Sequence, residues 1–398
     1  MLQTVIALIL GILAGTFTGL APGIHINLIS LLVFSFSPVL MIYFGVVPLA
    51  VFIVAMAITH TFLDFVPSIF LGAPDEDTAL SVLPGHKLLL EGKGHEAVML
   101  TLRGSFAGLF IILILTPLFV YFLPKVYPVF KEYMAFVLIA ASAFLIITEK
   151  KSRIWALFLF LLSGILGIAT LNLSGIKQPL FPLLSGLFGC SLLVISVMSN
   201  VKVPPQKITH STISKKETFK ALLSSTIAAP LCSFLPGLGA SQAAVIGSEI
   251  TRNLGEKPFL VLLGAINTIV MGLSFVALYA IQKPRTGAAV IVGKLIQDMT
   301  LGNLILFLIV IFIAGIIASL LTIASSKFFA RNIAKLNYRA LCLAVLLLIT
   351  ILTIPLSGAL GLLVLATGTA IGIVTALTGI RKMHLMGCLL VPVIFYFL

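Results

Sequence analysis

The chain has 398 residues, of which 60% are hydrophobic and 9% charged, with a mean hydropathy of +1.23. No water-soluble domain has that balance, and apolar runs of about 18 or more residues, each long enough to cross a bilayer, recur along the whole length. The basic residues behind the net charge of +13 sit in short loops between those runs, which the positive-inside distribution of a multi-pass membrane protein explains better than a nucleic-acid surface does.

In chain order, crossing segments are expected near 4–20, 39–58, 98–123, 133–148, 154–172, 178–197, 219–235, 258–281, 303–325, 338–356, 359–378 and 383–398. Shorter pieces that enter without crossing are expected at 22–36, 59–71, 236–250 and 284–297. The first twenty residues carry no Lys or Arg ahead of the apolar core and run on into the membrane, so they read as a retained first helix. Cys190, Cys232, Cys342 and Cys388 lie scattered in apolar segments without metal-ligand spacing and read as packing residues, with no metal site.

Charge sets the expected orientation. One set of loops holds Lys150, Lys151 and Arg153, then Lys202, Lys207, Lys215, Lys216 and Lys220, then Lys327, Arg331, Lys335 and Arg339, then Arg381 and Lys382. The alternating loops hold only Lys125, Lys131 and Lys177. The first set is therefore expected in the cytoplasm, with both termini outside.

Two stretches place Pro-Gly inside hydrocarbon: "GTFTGLAPGIHINLIS" at 15–30 and "CSFLPGLGASQAAVIG" at 232–247. Pro22-Gly23 matches Pro236-Gly237, and "DTALSVLPGHKLLLEGKG" (77–94) lies over "RTGAAVIVGKLIQDMTLG" (285–302). The helices that follow alternate in opposite phase. The expected architecture is an all-α polytopic membrane protein of two inverted-topology repeats, 1–197 and 219–398, joined by a cytoplasmic linker at 198–218, with broken helices meeting near the midplane. Freed backbone groups cannot face lipid, and a new helix N-terminus at mid-depth favours an anion. The bland alternative is that each Pro-Gly kinks a packed helix.

The candidate substrate-binding residues are Pro22, Gly23, Ile24, His25 and Asn27 at the first break, and Pro236, Gly237, Gly239, Ala240, Ser241 and Gln242 at the second. Thr78, Thr286, Lys283 and Arg285 join them: the two cations suit a carboxylate or phosphate, or else snorkel at the interface. Asp64 is an intramembrane carboxylate, a functional candidate by default. With His60, Asn27 and Asn267 it forms the candidate coupling-ion site for Na⁺ or H⁺; the competing reading makes it a structural partner of His60 one turn back. Asp75, Glu76 and Asp77 read as helix-start caps.

These residues carry a family resemblance. Gly15, Gly19, Pro22 and Gly23, then Gly72, Pro74, Thr78, Ala79 and Leu80, then Pro236, Gly237, Gly239 and Ala240, then Ala288, Ala289 and Val290 resemble the motifs of the large membrane subunit of the tripartite tricarboxylate transporters. The resemblance covers most of the chain. It departs at Gln282-Lys283-Pro284-Arg285, where a Pro-Gly-Ser element is usual, at His25, where Gly is usual, and in a shorter chain. It implies a cation-driven carboxylate transporter of the cell membrane, working with a small membrane subunit and an extracytoplasmic binding protein. No resident cofactor and no nucleic acid are implied; a homodimer is left open. The rival functions are a carrier of a lipid-linked phosphate such as a polyprenyl phosphate, a membrane-embedded enzyme using His25, His60 and Asp64, and a non-transporting assembly subunit. The enzyme lacks a His-Glu-x-x-His, a nucleophile elbow or a Walker loop.

Overall fold

A computed structural model describes the chain except residues 22–25, 73–77, 177, 199–202, 209–212, 235–239, 252–253 and 336. Of 27, 28, 31, 79, 82, 83, 131, 231, 234, 241, 242 and 245 only the backbone is described. Hydrocarbon leaves backbone groups no partner but each other, and apolar runs with few breakers satisfy them as helices. The helices are α1 (Leu2–Leu20), α2 (Ile26–Ser35), α3 (Ser37–Phe44), α4 (Val46–Leu63), α5 (Phe65–Leu71), α6 (Val82–Leu90), α7 (Gly94–Glu132), α8 (Met134–Ile147) and α9 (Arg153–Asn172). They continue with α10 (Leu180–Leu184), α11 (Ser191–Met198), α12 (Lys215–Phe234), α13 (Ala240–Ile250), α14 (Glu256–Ile281), α15 (Gly287–Leu295), α16 (Leu301–Asn332), α17 (Tyr338–Thr378) and α18 (Gly387–Phe397). Among the described residues there is no strand, and eight helical spans are long and apolar enough to cross a membrane.

Several boundaries differ from expectation: α7 runs past 123 to Glu132, α16 runs past 325 to Asn332, and the crossings expected at 133–148, 219–235 and 383–398 are not among the eight spans. The segment expected at 39–58 is divided at Gly45, whose φ of 78° ends α3 and starts α4. Ser37–Phe44 therefore belongs to the arm that returns from the first break, not to the next crossing. The piece expected at 59–71 does not enter separately: α4 and α5 join through Asp64 into one apolar span, Val46–Leu71. Nothing between Val46 and Leu71 has the positive φ that could turn the chain back. The expected break after 356 is present inside α17, at Gly358 (φ 68°). Ser357 Oγ and Leu356 O fasten that break to Gln178, by bonds of 2.8 and 3.1 Å to its carbonyl and N–H.

The centre of the molecule is two helices. α14 is 94% buried over its apolar window and α4–α5 is 78% buried, while α7 and α16 present about half or more of theirs outward. Glycines set the spacing. Gly11, Gly15 and Gly19 of α1 lie against Phe52, Met56 and His60–Leu63 of α4, so the two helices run parallel. Gly104 and Gly108 of α7 lie against Val261–Ala265 and Ala265–Ile269 of α14, and Gly272 lies against Ile112, so that pair is parallel too; a Cβ at Gly104 would meet Val261 O and one at Gly264 would meet Thr101 O, so it is also in backbone contact. Small residues four apart are what lets membrane helices approach this closely. α4 also packs against α16 and α15, and α14 against α7 and α6.

The ends of the helices sort by charge. Lys87 meets Glu256 and Lys257 meets Glu96, each at 2.7 Å. Gln206 and Lys207 bond Gly94 and Gly92. Tyr338 meets His86, Ser326 meets His95, and Arg381 meets Glu149 and Glu249. The loops around 86–96, 149–153, 206–207, 249–257, 326–338 and 379–384 thus gather at one end, called here the basic end. Gln3 bonds Tyr43 O, and Gln178 meets Ser357, away from it.

Candidate functional site

The site forms where α1, α4 and α14 meet. α1 stops at Leu20, one residue past Gly19, where a Cβ would touch Leu63 and Asp64 N. Asp64 lies 18 residues into the Val46–Leu71 span, about 27 Å along it. The first break therefore begins deep inside the apolar layer, beside a carboxylate that is 4% exposed. α12 and α13 form the second hairpin, tied near its open end by Ser224 Oγ to Thr251 Oγ1 at 3.1 Å. Gly247 lies between Ala228 and Leu262, and α12 continues from Ala228 to Phe234, about 9 Å further along α14, to the level of Asn267–Thr268.

At that depth the two central helices are joined. Asn267 Nδ2 of α14 donates to Asp64 Oδ2 at 2.9 Å and to Thr61 O at 3.4 Å, across 203 residues of sequence. His60 Nδ1 meets Thr18 Oγ1 of α1 at 3.1 Å, and Thr18 donates on to Gly15 O. Thr59 Oγ1 and Thr268 Oγ1, one on each central helix, are buried with no hydrogen-bond partner among the described residues. The arrangement offers a carboxylate, an amide, an imidazole and hydroxyls within one apolar layer, donors that suit a small cation or a proton.

The other expected residues divide. Arg285 is half-buried, its N–H donates to Ser274 Oγ at 2.9 Å, and its charge acts on Cys232 of α12, close to the second break. Lys283 is exposed. Thr286 is the N-cap of α15, accepting from Ala289 N, and its N–H bonds Ser274 Oγ at 2.8 Å. Thr78 is buried, and its carbonyl accepts from Ser81 and Ser68. Both threonines thus order the loop that follows a central helix. Ala240 is buried as the first residue of α13. Pro22, Gly23, Ile24, His25, Pro236, Gly237 and Gly239 lie outside the described residues, as do the side chains of Asn27, Ser241 and Gln242. Sequence reasoning missed Thr18, whose place between Gly15 and Gly19 on the face packed against α4 was the available signal.

A multi-pass all-α membrane protein with polar groups at the depth of its broken helices is thereby defined. The family profile described as Tripartite tricarboxylate transporter TctA family matches residues 5–387, and the chain belongs to that family, whose members are components of a transporter. It is also 33% identical to an uncharacterized protein of Methanocaldococcus jannaschii over 98% of both chains. No solved structure matches it.

Proposed function

We propose that the chain is a secondary active transporter of the cell membrane that moves a small di- or tricarboxylate, with Na⁺ or H⁺ taken up at Asp64. The observation that carries this reading is the buried Asn267–Asp64 bond between the two central helices, at the depth where α1 and α12 end. The backbone termini at the two breaks and Arg285 supply the anion side, and Asp64 with His60 and Asn267 the cation side. An anion moving against an inside-negative potential costs roughly 2.3 kcal/mol per charge per 100 mV, which a co-transported cation offsets. The repeated packing of α1 on α4 and α12 on α14, with α16 on α4 and α7 on α14, supports an inverted repeat. A small membrane subunit and an extracytoplasmic binding protein are the partners that family membership points to.

The test is uptake into proteoliposomes of radiolabelled citrate and succinate under a Na⁺ or a pH gradient, with short-chain polyprenyl phosphate as competitor. Asp64→Asn should abolish gradient-driven accumulation and retain exchange. Accumulation equal to the unaltered protein would remove Asp64 from coupling. Competition by the lipid phosphate alone would replace the carboxylate as cargo.

A further inference from the structure

A cavity of about 860 Å³ opens at the basic end, and Asp64 is not among its lining residues. Its walls come from three regions: the α8–α9 loop (Ile147 to Arg153), the end of α13 and start of α14 (Ser248, Glu249, Leu254, Phe259), and Arg381 before α18. Its size is that of a site for a small ligand.

The charge in this cavity is unbalanced. Among the described residues four cationic side chains, Lys150, Lys151, Arg153 and Arg381, face two carboxylates, Glu149 and Glu249. Both carboxylates are already taken. Arg381 Nε bonds Glu149 at 3.0 Å, its Nη1 bonds Glu249 at 2.9 Å, and His384 Nε2 meets Glu149 at 2.9 Å. Lys151 Nζ lies over Gly379 at the C-terminus of α17, whose carbonyls offset part of its charge. Lys150 and Arg153 have no acidic partner among the described residues, and both are exposed. The α9 N-terminus opens beside them: Ser152 is its cap, accepting from Trp155 N, and the free N–H groups of the first turn add positive potential. Surface cations of a membrane protein are ordinarily spread over convex loops. Here they line a concavity with low-dielectric walls, which focuses the field.

We infer that this cavity is a second anion-binding site, which takes a small soluble oxyanion of two or more charges, carboxylate or phosphate, held by Lys150, Arg153 and the α9 N-terminus. The inference does not rest on the Asp64 reading. Lipid headgroup phosphate shares this chemistry, and the experiment separates the two sources.

The protein carries its own reporter, because Trp155 is the sole tryptophan and stands in the first turn of α9. The full chain in nanodiscs of neutral phosphatidylcholine is titrated with citrate and with inorganic phosphate while Trp155 emission is followed. Sodium chloride at matched ionic strength is the control. The expected result is a saturable change with citrate or phosphate, absent with chloride and absent in W155F. Its midpoint should weaken at least tenfold in K150Q/R153Q; R153Q alone is read if the double variant loses its thermal transition. Four results would overturn the inference: no change with either anion, a change that follows ionic strength, an unaltered midpoint in the variants, or a change produced only by phosphatidylglycerol in the disc. None involves transport, so failure here is distinct from failure of the coupling site.

Discussion

A carboxylate in hydrocarbon survives only with partners, and Asp64 has one from the far half of the sequence. Removing that donor leaves the carboxylate buried with one hydrogen bond fewer, and a bond to a charged group is worth more than a neutral one. Asn267→Ala is expected to lower stability by about 1–3 kcal/mol and to reduce cation-dependent uptake. Thermal unfolding in detergent together with proteoliposome flux would check both; an unchanged melting temperature would mean that the bond is not structural. Glu149, in the α8–α9 loop, gives a pH signature. Burial alone would raise its pKa, but the Lys151 N–H, Arg381 and His384 outweigh burial and hold the carboxyl at about 2, below its ordinary 4.5. The folded value is the lower one. Its contribution is therefore complete above about pH 4.5 and is lost as pH falls toward 2. Melting curves between pH 5 and pH 2.5 should fall less steeply for Glu149→Gln than for the unaltered protein. At this scale the sequence was only partly readable. Asp64 and Asn267 stood out as polar residues in apolar runs, yet their bond spans 203 residues and no local pattern announces it. Glu149 and Glu249 carry no local signal, because the Arg381 fork that joins them comes from elsewhere in the chain.

Elements were more legible than contacts. Hydropathy placed crossings such as 154–172 and 258–281 within a few residues, since hydrocarbon penalises every unpaired backbone group and so ties apolar length to helix length, but it ended α7 nine residues and α16 seven residues too early. The misplacement at 39–58 arose because Gly45 turns the chain without any polar residue to mark it. Helix spacing yields a contrast between two glycines. Gly104→Ala forces a methyl into Val261 O on α14, and a backbone neighbour can yield only by moving the helix. Gly302→Ala, by contrast, meets nothing closer than Thr300 Oγ1 at 3.7 Å. The first is expected to destabilise by at least about 1–3 kcal/mol, the second to leave stability within error or raise it slightly by helix propensity. Side-by-side melting temperatures would decide, and equal values would show that the α7–α14 contact is looser than described.

For the whole molecule, the sorting of basic loops to one end predicts which residues face which compartment. All four native cysteines are buried, so single engineered cysteines are read against a silent background. Lys207→Cys, at the basic end, and Leu173→Cys, at the other, are both exposed in the parent structure. In right-side-out vesicles an impermeant maleimide should label Leu173→Cys directly and Lys207→Cys only after permeabilisation. Labelling of both from one side would refute the topology.

The two central helices have a consequence for how the chain is made. α4 is packed by α16 and α15, and α14 by α7 and α6, so neither half of the sequence holds a complete core of its own. Asp64 leaves the ribosome 203 residues ahead of Asn267. At about 5–20 residues per second that is a wait of roughly 10–40 s, during which the carboxyl sits at the membrane without its amide. Through that interval α4 also lacks its packing against α14, so the core closes only after the second half is made. Synthesis rate, no less than sequence, then sets the yield of folded protein, and slowing translation between α5 and α14 would lengthen the exposure of that one acidic side chain.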